Sequence, residues 1–258
     1  MNNVFNANRF TQLFIRHTLV YYKAYLMSFV VLMGVLSLIM GYVFYLNKGN
    51  VNPAAQFVYF VTFLFLGGSI FTSTIFVELN DKRRAIPYLM LPASNFEKFL
   101  LSWIYSFLIF QLFYIVGFCL IDAMLLGMAK PIPRELEIMP SSGQEPLPYL
   151  LAFTAFMLLH AISFFGAVFF RKMHFIRTAF ILFGLLMILM VLNGFFLELL
   201  IGVDITSAEP FGSLSFMQGD QRLELPSVAI VNMRYYLMGA LAFLLWTATY
   251  FKLKEQEV

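Results

Sequence analysis

Phe180-Ile-Leu-Phe-Gly-Leu-Leu-Met-Ile-Leu-Met-Val191 runs on without one charged or hydrogen-bonding side chain. It lies inside a longer apolar stretch, 178–201, and a helix needs about 20 such residues to cross the hydrocarbon core. A strand of a membrane barrel would alternate apolar and polar positions over short segments instead. In lipid every backbone N–H and C=O must find a partner within its own segment, so this continuous run reads as a spanning α-helix.

Five further stretches have the same character: roughly 24–46, 56–77, 99–122, 147–170 and 234–251. The whole 258-residue composition agrees, with 61% hydrophobic residues, 12% charged residues and 32 phenylalanines. A water-facing surface carries roughly a quarter charged residues, so most of this surface must face lipid, as a mean hydropathy of +0.81 also implies. The expectation is one all-α integral membrane domain over 1–258 with six spans. Residues 1–23 are too polar for the core of a cleavable signal, so the first span is expected to be its own insertion signal. The single cysteine, Cys119, has no intrachain partner and reads as a small buried hydrophobe.

The formal net charge is only +3, but its distribution orients the chain. With the amino terminus inside, the inner side holds Arg9, Arg16, Lys23, Lys82, Arg83, Arg84, Lys98, Arg171, Lys172, Arg177, Lys252 and Lys254. The outer side then holds Lys48, Lys130, Arg134, Arg222 and Arg234. Basic residues favour the cytoplasmic side, so both termini are expected to be cytoplasmic and the chain to be an inner-membrane protein. Glu135, Glu137, Glu145, Asp204, Glu209, Asp220 and Glu224 fall in the outer loops. The bases are spread over four inner segments with no basic arm, which argues against nucleic-acid binding.

Four segments outside the spans carry information. Residues 5–23 set Arg9, Gln12, Arg16 and Lys23 on one side and Phe10, Leu13, Phe14, Val20 and Tyr21 on the other. That pattern suits an amphipathic helix lying in the headgroup plane. The inner loop 78–98 has a charged turn, Asp81–Arg84, followed by Ile86, Tyr88, Leu89 and Leu91, and Pro92 closes it. Ser94 with Glu97 three residues on is a capping box that starts the next helix, so a short helix held against the inner face is expected. The outer segment 127–146, with Pro131, Pro133, Pro140 and Pro146, reads as an irregular cap. In 202–233 a hairpin is expected, Leu214–Gln218 and Gln221–Leu225 about Gly219-Asp220, and residues 227–233 could dip back toward the membrane.

No catalytic constellation emerges. There is no phosphate-cradling Gly-x-x-x-x-Gly-Lys-Ser/Thr loop. His17, His160 and His174 are too scattered for a metal site. Ser69 with His160 could be imagined as an intramembrane serine dyad, but a histidine that bonds a neighbouring helix is the commoner arrangement. Asp122 and Glu198 lie at the outer ends of their spans, whereas a proton relay would want acids at mid-depth. The second span is rich in small and hydroxylated residues: Thr62, Gly67, Gly68, Ser69, Thr72, Ser73 and Thr74. Such residues let helices approach closely, which suits a packing or dimer seam, or the lining of a substrate path.

Six spans with both ends inside, an interfacial first helix and a short helix between spans two and three together resemble the membrane subunit of a type-2 ABC exporter. The local match is Arg84-Ala-Ile-Pro-Tyr-Leu-Met-Leu-Pro-Ala-Ser-Asn-Phe-Glu-Lys-Phe99. It is similar to a stretch of uncharacterised ABC permeases from Bacteroidetes-type bacteria. The resemblance implies that the loop carries a coupling helix docked on a separate ATPase subunit, which would hold ATP and Mg. Its contact candidates are Lys82, Arg83, Arg84, Tyr88, Pro92, Ser94, Glu97 and Lys98. It also implies a second permease copy, and an amphiphilic substrate such as a lipid or peptide. The polar 202–225 departs from that family, whose members often carry an apolar re-entrant hairpin there. A non-transporting anchor of an ABC-like envelope complex and an ion-coupled carrier are the alternatives.

Overall fold

Six long helices carry the chain, and each is apolar and long enough to cross a membrane. The computed structural model describes residues 5–50, 53–76, 93–128, 148–170, 174–201, 205–208, 214–218, 221–225 and 228–255. The helices are α1 (Ala7–Leu46), α2 (Pro53–Thr74), α3 (Asn95–Met128), α4 (Pro148–Phe169), α5 (His174–Ile201) and α6 (Val228–Glu255). Each expected apolar stretch is one of them, so the protein is a multi-pass membrane protein. Three short strands, β1 (Ile205–Ala208), β2 (Leu214–Gln218) and β3 (Gln221–Leu225), form an antiparallel sheet between α5 and α6. The expected hairpin is its β2–β3 pair, in register from Leu214 opposite Leu225 to Gln218 opposite Gln221.

Two expectations at helix ends are corrected. Residues 5–23 do not form a helix of their own, because α1 continues unbroken for 40 residues. No glycine or proline lies between Ala7 and Met33, and sharp kinks need such a residue or a slipped hydrogen-bond ladder. Forty residues rise about 60 Å, roughly twice the hydrocarbon thickness, so α1 is far longer than a span requires. Its apolar positions Phe10, Leu13 and Phe14 pack on Leu101 and Tyr105 of α3 within the chain. Nor do residues 228–233 turn back; they are the first turns of α6. The loop residues 77–92 and the cap residues 129–147, which include most of the expected coupling segment, lie outside the described residues.

Local signals set the other boundaries. The Asn6 side chain accepts from the backbone N–H groups of Asn8 and Arg9 and opens α1. After Asn47, Gly49 takes a positive φ of 87°, a conformation open to glycine at no steric cost, and Pro53 sits at the first position of α2, where its missing N–H is not needed.

Helix α4 is the core of the bundle, with half of its most apolar window buried against 6% for α5. Leu36 and Met40 of α1, Phe60 and Leu64 of α2, Phe110, Tyr114 and Phe118 of α3 and Phe156 of α4 form one buried cluster. A second cluster joins Phe76, Phe164, Val168 and Leu253, so the end of α2, the end of α4 and the carboxyl-terminal end of α6 meet. The amino-terminal ends of α1 and α3 meet beside it through Leu13 and Leu101. Both terminal regions therefore lie at one end of the bundle. Cys119 is exposed on the outside of α3. The expectation of a buried thiol is corrected, since an apolar run in a spanning helix supplies lipid-facing positions as well as core ones.

Candidate functional site

The site begins at Ser94. Its side chain accepts from the Glu97 backbone N–H at 3.2 Å, and the Glu97 carboxylate accepts from the Ser94 N–H at 2.9 Å. The capping box read from sequence is thus present, at the first turn of α3 and outside the expected span of 99–122. Glu97 does more than cap its own helix. Its carboxylate also accepts from the Asn6 backbone N–H at 2.8 Å and from Arg9 Nε and Nη2, each at 2.7 Å. One buried carboxylate therefore joins the starts of α1 and α3 through four hydrogen bonds.

The electrostatics follow from that geometry. Burial alone pushes the Glu97 carboxyl upward, but the bonds from Arg9, Asn6 and Ser94 and the charge of Arg9 together hold it below the ordinary carboxylate range. The two bonds to the Glu97 carboxylate raise Arg9 in turn. Arg9 keeps a side-chain exposure of 35% while Glu97 has none, so water reaches one partner only. Further along the same contact, Tyr105 of α3 packs on Phe14, His17 and Tyr25. His17 Nε2 pairs with the Tyr25 hydroxyl at 2.7 Å, and Thr18 pairs with the Tyr105 hydroxyl.

Of the expected contact residues, Lys82, Arg83, Arg84, Tyr88 and Pro92 lie outside the described residues. Ser94, Glu97 and Lys98 are described, and the last two are buried. Glu97 is engaged within the chain and offers no free carboxylate to another protein. Arg9 and Asn6 were not expected here: the capping box was legible, but nothing local in the sequence marks a partner 88 positions away.

The small residues of α2 sit against the chain's own helices. A Cβ built on Gly67 would meet Leu32 of α1 at 2.9 Å, and one on Gly68 would meet Phe156 of α4 at 2.3 Å. Ser69, Thr72 and Ser73 are buried, and the Thr72 and Ser73 hydroxyls donate to the Gly68 and Ser69 carbonyls at 2.7 Å. Here the glycines let rings and branched side chains reach the helix backbone.

His160 does not face Ser69 in any hydrogen bond; it bonds two other helices. Trp246 Nε1–H of α6 donates to His160 Nδ1 at 3.2 Å, and His160 Nε2 pairs with Ser106 Oγ of α3 at 2.8 Å. An indole nitrogen only donates, so Nδ1 accepts and Nε2 carries the proton. Nε2 thus donates to Ser106, whose hydroxyl donates on to the Ser102 carbonyl at 2.7 Å. A histidine that donates to a serine cannot take the serine's proton, so this pair is not poised as a nucleophile and base. At the other end of the bundle the Gln56 amide donates to Asp122. Among the described residues no cluster of metal-ligating side chains occurs.

Comparison with known proteins supplies no relative: no family model, no curated protein and no solved structure matches the chain.

Proposed function

We propose that the chain is the membrane-spanning subunit of an ATP-driven exporter of the type-2 ABC kind, moving an amphiphilic substrate across a bacterial inner membrane. In this reading a separate ATPase subunit holds ATP and Mg and docks on the cytoplasmic loop 78–98, and a second permease copy completes the assembly. The supporting observation is the Glu97 node. The stretch that resembles a coupling helix leads straight into Ser94–Glu97, and Glu97 ties the start of α3 to the start of α1. A push delivered at that loop would reach two helices through one joint. The twelve-to-five basic asymmetry supports the cytoplasmic side for this end of the bundle.

The test is purification of the tagged full chain from its native membranes in mild detergent. A Walker-motif ATPase should accompany it in near-stoichiometric amount. Purification without any ATPase, under conditions that keep the chain folded, would sink the proposal.

One observation favours a second reading, a non-transporting anchor of an ABC-like envelope complex. Among the described residues Phe60, Phe110, Tyr114 and Phe156 pack as one buried cluster between α2, α3 and α4, which leaves no path at that point of a single copy. Reconstituted vesicles separate the two readings, because an anchor supports ATP turnover with no solute movement.

A further inference from the structure

Helix α3 is interrupted once. Asn95–Trp103 and Phe110–Met128 are α-helical, and Ile104–Ile109 between them is a π-helix. There the ladder slips by one position, so that the Phe110 N–H reaches the Tyr105 carbonyl. A π turn holds one residue more than an α turn of the same span, and such turns inside α-helices concentrate at functional sites.

The two halves of α3 are held by different neighbours. The first half is tied to α1 through Glu97 and Arg9. The second half is tied to α2, where the Tyr114 hydroxyl donates to the Phe60 carbonyl at 2.7 Å. It also meets α1 where Gly117 receives Met33. The π turn itself is held by a third set: Ser106, inside it, receives the His160 proton, and His160 receives that of Trp246. Ser106 and His160 are both fully buried, so no water stands ready to replace either bond.

We propose that Ile104–Ile109 is a register joint in α3, latched by the Ser106–His160–Trp246 chain. Latched, the surplus residue stays at 104–109. Released, it moves along the helix, and each residue that it passes turns by about 100° and shifts by about 1.5 Å. Moving toward Glu97, it turns the residues between 98 and 103, Trp103 among them, against the segment carrying Tyr114, while Glu97 and Tyr114 keep their own register. This is a two-position element of the kind that converts a local push into a discrete change. It stands on the geometry of α3 and is independent of whether an ATPase docks on the chain.

The chain carries its own reporter. Of its only two tryptophans, Trp246 belongs to the latch and Trp103 packs against it, with ring centroids 5.4 Å apart at 89°. The experiment uses the full chain in lipid nanodiscs and reads the near-ultraviolet circular dichroism and emission of this pair. Ser106→Ala removes the latch at little change in volume. The joint predicts that this variant keeps its far-ultraviolet spectrum but loses most of the tryptophan-pair signature as Trp103 turns away. A folded Ser106→Ala protein with the wild-type signature overturns the proposal.

A second measurement decides if that variant does not fold. Deleting Leu108, an exposed residue of the π turn, should leave α3 wholly α-helical with both halves still in register. Deleting Leu120, also exposed but in the regular part, forces a rotation on one side of its anchors. The joint predicts that the Leu108 deletion melts within a few degrees of wild type while the Leu120 deletion is unstable. Equal damage from both overturns it.

Discussion

Gly68→Ala adds one methyl group where α2, α3 and α4 meet. The new Cβ would stand 2.3 Å from Phe156 Cε2, 2.7 Å from its Cζ and 3.1 Å from Phe110 Cε1. Carbon atoms in contact sit about 3.5–4.0 Å apart, so the Phe156 ring must retreat by roughly 1 Å or more. It has nowhere to go: the ring is fully buried, with Phe107 lying parallel at 6.1 Å on one side and Phe110 at 6.2 Å. Overpacking of this kind costs about 1–3 kcal/mol. Alanine recovers about 1 kcal/mol through its better helix propensity, leaving a net loss of about 0–2 kcal/mol. For a chain of this length that is a drop in melting temperature of up to about 8 °C, against a gain for a glycine that meets no neighbour. Gly41→Ala on α1 is the control, since no heavy atom lies within 4 Å of its new Cβ. Thermal unfolding of the purified chains in one detergent, followed by tyrosine and tryptophan emission, compares the two. Equal melting of Gly68→Ala and Gly41→Ala would refute the reasoning and would mean that the α2 glycines face open space rather than Phe156.

Gly166→Val should be more damaging still, because even a Cβ there meets Thr178 Oγ1 at 2.0 Å; detergent melting checks it, with a large loss of folded protein expected. Glu97→Ala should loosen the start of α1 by leaving the Asn6 and Ser94 N–H groups without their acceptor. The expected loss is about 2 kcal/mol, read as faster amide exchange over the first turns of α1 and α3. The pH dependence has a definite sign. Glu97 is held below its ordinary value of 4.5 in the native state, so its contribution is complete above that value and is lost as pH falls through the lowered native one. The acid limb of stability should therefore flatten in Glu97→Gln, as measured by melting between neutral and acid pH. Cys119, exposed on a spanning helix, should react in membranes with a lipid-soluble maleimide and not with a charged one, as mass spectrometry would show.

The six spans, the capping box and the β2–β3 hairpin were legible because each is written in neighbouring residues. Twenty apolar side chains in a row have only one backbone solution in lipid. A serine with a glutamate three positions on satisfies its own helix start. The end of the apparent first helix at residue 23 was misread for a related reason. Its polarity changes there, but polarity does not break a helix, and no residue that does lies before Gly34. The exposure of Cys119 was also out of reach, because an apolar side chain suits lipid and core alike.

What the sequence alone determined is that this chain must cross a membrane as a bundle of about six helices, since hydropathy and backbone hydrogen bonding act within each segment. Which side chains meet was decided only by the tertiary structure. Arg9 finds Glu97 from 88 positions away, and His160 finds Ser106 and Trp246 from 54 and 86. The slip of α3 into a π turn belongs to the same level. A pairing between helices depends on their relative rotation and depth, and a period of 3.6 residues within one helix carries no record of its neighbour's phase.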